Sequence, residues 1–246
     1  MSEPGVDRVA GFPTPTNAED QARRTQLLTT EHWSLLATRS MSWNEAFSRT
    51  ATFLSTLSAG TVALALAGPA MAFGSAFALV AVVILSVILF LGVATFVRLT
   101  QVNNEDLYWV YGMNRLRGAY ARMVPGIEHE FITGHTVDTI GFARTFGAVD
   151  VTSSPSILHT LITTPAIVGV ISSVVFGVIV GLVATQLVSS EIVAVASGIV
   201  GALFGIGLMV RYATGEQRRY IARISSLNDE RAERTRHGID DVVPKR

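Results

Sequence analysis

The stretch TATFLSTLSAGTVALALAGPAMAFGSAFALVAVVILSVILFLGVATFV, Thr50–Val97, runs for 48 residues without a Lys, Arg, Asp or Glu. A helix crossing roughly 30 Å of hydrocarbon needs about 20 apolar residues, so this run is long enough to cross twice. Its turn is expected at Gly68-Pro69, because proline ends a helix and biases its neighbour away from helical geometry. Span one is placed near Thr50–Gly68 and span two near Phe73–Val97. A second run, Val151–Val210, covers 60 residues and is interrupted only by His159 and Glu191. Within it, Thr163-Thr164-Pro165 reads as a hydroxyl cap followed by proline at the helix start, opening span three to about Thr185. Gln186–Glu191 form the next turn, with Ser190 as cap and Glu191 in the first turn, where the helix dipole favours an anion. Span four follows, from about Ile192 to Val210.

Composition agrees with this reading. The chain is 49% hydrophobic and 15% charged, against about a quarter charged in a typical soluble domain. A water-soluble fold cannot leave such runs on a solvated face, which excludes an ordinary globular enzyme. Basic and acidic residues balance at 19 each, so there is no overall pull toward nucleic acid. The absence of cysteine excludes disulfide frameworks, thiolate metal sites and cysteine nucleophiles.

Topology follows from the basic residues. Five precede span one, five lie between spans two and three, and nine follow span four, which accounts for all 19. Neither short turn contains any. The positive-inside rule then assigns both termini and the central connection to the cytoplasm and the chain to the plasma membrane. The expected fold class is all-α: a polytopic membrane protein with four transmembrane helices in two hairpins, extended by cytoplasmic helices. Its segments are a disordered tail 1–16, a cytoplasmic helix 17–49, hairpin 50–97, a cytoplasmic helix and connection 98–162, hairpin 163–210, and a basic helix and tail 211–246. The tail lacks the basic start and apolar core of a secretory signal, so insertion is expected to be driven by the spans.

Three cytoplasmic segments show apolar residues at three- and four-residue spacing. The first begins at a Thr16–Glu19 capping box and carries Leu28, Leu35, Leu36, Trp43 and Phe47. The second carries Leu99, Val102, Leu107, Val110, Met113, Leu116 and Tyr120 until Pro125-Gly126. The third carries Tyr220, Ile224 and Leu227 among arginines. They are expected to pack together as a small bundle, with helices lying on the lipid surface, which the arginines would also suit, as the alternative. A weak duplication is also visible: Gly68 and Val97-Arg98 recur at Gly181 and Val210-Arg211, both 113 residues later, as a parallel rather than an inverted repeat.

Candidate functional residues are few. No span holds a central ionisable residue, the usual mark of proton relays and ion pathways. Small residues recur every fourth position in span one (Ala51, Ser55, Ala59, Ala63, Ala67), and spans three and four add Gly177, Gly181, Ser197, Gly201 and Gly205. Such ridges let backbones approach closely. They are read as helix packing within the bundle, with a homo-oligomer seam or a hydroxyl-lined pore as the sharper alternatives. His159, just before span three, reads as an interfacial residue. The connection contains Glu128, His129, Glu130, His135 and Asp138, ligand types that suit zinc or manganese. Histidines six apart face different sides of a helix, so a solvated loop is the expectation and no metal is assigned. No catalytic or cofactor-binding signature is present, and no enzyme is expected.

The stretch Glu31–Arg39 (EHWSLLATR), the run Trp43–Phe47 (WNEAF) and Gly112–Arg115 (GMNR) are similar to uncharacterised bacterial four-span membrane proteins, a resemblance that implies no activity and no site residue. In plan alone, a hairpin flanked by long cytoplasmic helices resembles the two-span effectors of nucleotide-activated bacterial defence systems, from which this chain departs by its four spans. The expected function is a structural or protein-interaction scaffold in the lipid bilayer with a cytoplasmic helical module. It would bind a cytoplasmic protein partner or its own copy, with no cofactor and no nucleic acid. The alternative is an oligomeric channel or membrane-permeabilising effector gated by a cytoplasmic signal.

Overall fold

A computed structural model describes residues 18–146 and 163–240. The helices are α1 (Ala18–Ala70), α2 (Ser75–Met123), a 3-10 turn (Ile127–Glu130), α3 (Thr139–Thr145), α4 (Thr164–Leu187) and α5 (Glu191–Asp240). No strand occurs among the described residues. Four of the helices are long and apolar enough to cross a membrane. The tail, the Thr16 cap and His159 lie outside the described residues.

The helices do not break where the apolar runs end. α1 passes through Arg49-Thr50, α2 through Val97-Arg98 and α5 through Val210-Arg211 without interruption. Nothing at these borders is a helix breaker, so the backbone ladder continues while the side chains change from polar to apolar. At about 1.5 Å per residue, the 53 residues of α1 extend roughly 80 Å.

The first turn departs from expectation. α1 continues through Pro69 to Ala70, and the chain reverses over Met71–Gly74. Proline within the final turn forfeits few of the helix's bonds, so it does not stop the helix before itself. The reversal instead uses Ala72 and Phe73 in left-handed geometry (φ 49° each), with Phe73 N–H donating to Gly68 O at 3.0 Å. Phe73 folds back so closely that a side chain at 68 would meet its ring. The duplication fails at this point. Gly68 sits beside its turn, whereas Gly181 lies inside α4 against Ala194 and Gly198 of α5, and the second turn comes at Val188–Ser190.

α4 and α5 meet most closely. A Cβ on Gly177 would meet the Gly198 carbonyl and Ala202, while Gly201 lies against Val180 and Gly205 against Ser173. α4 also packs on α2, with Gly169 under Phe96 and Gly92 against Ser172. Ser172 and Ser173 are fully buried and donate to the carbonyls of Val168 and Gly169, both at 2.8 Å. α1 lies on α2, antiparallel to it, through Phe53, Gly60 against Ile88, and Ala46. Among the described residues the polar ends of the long helices meet as two pairs, α1 on α2 and α5 on α2, rather than as one three-helix cluster. α1 and α5 are each seated on α2, α5 through Tyr212 against Phe96 (centroids 6.1 Å apart), while Arg218, Arg219 and Arg223 are exposed.

Candidate functional site

Beyond the apolar run, the buried stripe of α2 reads Leu99, Val102, Asp106, Val110, Met113. An acid therefore occupies a place where spacing calls for a hydrophobe. The Asp106 side chain is only 5% exposed. Its carboxylate accepts from Arg39 Nε and from Arg39 Nη2 at 2.9 Å, and from Trp43 Nε1 at 3.1 Å. Arg39 and Trp43 stand one turn apart on α1, so a single carboxylate ties down two successive turns. A buried carboxylate is tolerated when such charge-assisted bonds replace its water. Toward the apolar run, Arg98 bridges Glu45 (2.9 Å) and Glu105 (3.1 Å), and Glu45 also takes Arg49 (2.9 Å). The hydrogen bonds from Arg98 and Arg49 hold the Glu45 carboxyl below the usual range. Asn104 is buried as well, and neither its Nδ2 nor Trp109 Nε1 has an acceptor among the described residues.

At the far end of the seam, Tyr120 donates to Leu28 O at 3.0 Å and His32 stacks on its ring (centroids 6.0 Å apart, 8° between planes). Burial, aided by the charge of Arg117, pushes the imidazole below its ordinary value. The unfolded chain therefore takes up the His32 proton first as pH falls. The seam's stability from this group is complete above about pH 6.5 and declines as pH drops through the folded value. We expect the unfolding midpoint to fall between about pH 7.5 and pH 5.5, and His32→Phe to remove part of that slope. Identical slopes for the two proteins would show that His32 is solvated.

The other sequence candidates are placed as follows. Glu128 accepts from Gly126 N–H at 2.9 Å, closing the 3-10 turn. Asp138 caps α3, accepting from the Thr136 hydroxyl at 2.6 Å and Gly141 N–H at 2.8 Å, which holds its carboxyl below the usual range. Glu130 is exposed, and His135 lies beside Phe131. Among the described residues no three His, Cys, Asp or Glu side chains converge as metal ligands. The connection instead packs on α2 through Asn114, which donates to Thr136 O at 3.1 Å and accepts from Thr145 at 2.9 Å. Gly177, Gly181, Gly201 and Gly205 lie at the α4–α5 contact, and Ser197 is half-buried, donating to Val193 O. Ala51, Ser55, Ala59 and Ala63 are exposed. The expectation that this ridge packs inside the chain's own bundle is thus not met: Phe53 and Gly60 face α2, and the ridge residues are exposed. An apolar cleft of about 290 Å³ lies between α2, α4 and α5, lined by Leu89, Phe96, Ser173, Phe176, Gly205 and Tyr212.

No family model matches this sequence, and neither a curated protein nor a solved structure is similar to it. The four long apolar helices are those of a multi-pass helical membrane protein.

Proposed function

We propose that the chain is a cytoplasmic-membrane scaffold. Its four spans form two hairpins, its termini and central connection lie in the cytoplasm, and its projecting helices hold partner proteins. The observation that carries this reading is the Asp106 lock. It stiffens the α1–α2 pair beyond the apolar run, while Arg218 and Arg223 of α5 are exposed and Arg219, also exposed, pairs with Glu216 of its own helix. The hydroxyls of span one also favour a scaffold over a pore. Thr52, Thr56 and Thr61 donate to their own helix carbonyls one turn back at 2.8–3.0 Å and so are already satisfied without water.

Reporters fused after Arg246 or within Ile127–Phe146 should read as cytoplasmic, and one at Gln186–Ser190 as external. An external reading for the connection would overturn the topology. Purified protein in liposomes should pass no current, with or without cytoplasmic extract. Steady conductance would replace the scaffold with the channel reading. Reversing Arg218, Arg219 and Arg223 to Glu should remove a cross-linked cytoplasmic partner while leaving the protein inserted.

A further inference from the structure

The face of α1 turned away from α2 crosses from water into hydrocarbon without acquiring a charge. In the polar half it presents Trp33, Ala37, Ser40, Asn44 and Phe47, at alternating four- and three-residue spacing, all of them exposed. Trp33 is 67% and Phe47 51% exposed, and Leu36 and Met41 flank them. In the apolar half the same line continues through Ala51, Ser55, Ser58 and Val62, also exposed. The charged residues of this stretch point elsewhere: Arg39 to Asp106, and Glu45 to Arg98 and Arg49.

We infer that this face pairs with the same face of a second copy of the chain, in parallel, about a two-fold axis along the membrane normal. Trp33 stands about 17 residues before Thr50 on one continuous helix, roughly 25 Å from the apolar run, where lipid does not reach it. A soluble partner would cover Trp33 but not Ser55. An occupant of the whole line must itself cross the membrane and project to the same side, as a second α1 does. A two-fold contact sets each residue against its own copy, so like charges on the line would repel, and there are none. Small side chains in the hydrocarbon half let two backbones approach, and the three-and-four spacing is that of a helix-pair seam. A strip of roughly 44 Å by 10–12 Å on each copy totals about 900–1,050 Å², near the roughly 1,000 Å² that a specific interface needs. This inference rests on the four-span reading for its parallel orientation, and is independent of which partner the cytoplasmic helices hold.

The chain's lack of cysteine makes the test direct. Single substitutions Ser40→Cys, Asn44→Cys, Ala51→Cys and Ser55→Cys lie on the line, while Leu27→Cys and Val83→Cys are exposed off it. Disulfides need Cα atoms within about 7 Å, so oxidation in native membranes should give at least fivefold more dimer at the four line positions than at the two controls. Adding Phe47→Glu to Asn44→Cys should reduce its dimer at least fivefold. Equal yields at line and control positions would overturn the pairing as mere collision. So would an absence of dimer at all four, or a cross-link to a different protein. Labelling Ser40→Cys with a membrane-impermeant maleimide separates the two failures. Labelling from the cytoplasmic side without dimer sinks the pairing alone, and labelling from outside sinks the four-span reading together with it.

Discussion

The Gly177→Val variant should lower the stability of the α4–α5 pair by about 3 kcal/mol, the upper end of the range for inserting side-chain volume into a packed interior. The upper end applies because the new side chain would meet the Gly198 carbonyl and Ala202. A carbonyl held in a helix ladder cannot swing aside as a flexible side chain can, so the two helices must separate along their length. Gly207 has nothing within 4 Å of its would-be Cβ, and Gly207→Val should shift the unfolding midpoint little. The two variants measured side by side in detergent decide the point. Equal midpoints would mean that the close approach at Gly177 is absent from the folded protein.

The second large effect is expected at Asp106. Truncation to Ala leaves the Arg39 guanidinium and the Trp43 N–H without their shared acceptor. Breaking a buried pair from one side costs several kcal/mol. The Arg39 side chain is 32% exposed and recovers some hydration, so about 2–3 kcal/mol is the reasonable magnitude. The loss should be local. Hydrogen exchange or proteolysis across 18–49 should accelerate sharply, while the apolar helices stay protected. Replacing both partners, Arg39→Met with Asp106→Leu, should restore much of the protection, because no unpaired charge then remains. A double variant no better than Asp106→Ala alone would show that the pair does more than join two helices.

These two sites were unequally legible. The glycines of the α4–α5 contact stood out because small residues at helical spacing in an apolar run have few other uses. Asp106 is hidden in the apolar spacing by its neighbour Leu107, although it stands four residues after Val102 and four before Val110. An acid in register with a buried stripe demands a partner, and Arg39 and Trp43 lie on a different helix more than sixty residues earlier. The acidic and histidine cluster of the connection misled in the opposite way. Asp138 and Glu128 are spent on capping and closing local turns, uses that composition does not separate from metal binding.

Number, order and approximate ends of the four apolar helices were determined by the sequence itself, since crossing length and charge exclusion are properties of a one-dimensional string. The rotation of each helix about its axis was not. In water, burial of apolar surface selects the inward face, but hydrocarbon solvates leucine as well as a neighbouring helix does, so apolar pattern carries no preference there. Span one shows the consequence: its regular ridge of Ala51, Ser55, Ala59 and Ala63 is exposed, and the less regular Phe53 and Gly60 meet α2. Only the fit of Gly60 to Ile88, with the Asp106 lock a few turns beyond, decided which side turned inward, and shape matching of that kind exists only once both helices are in place.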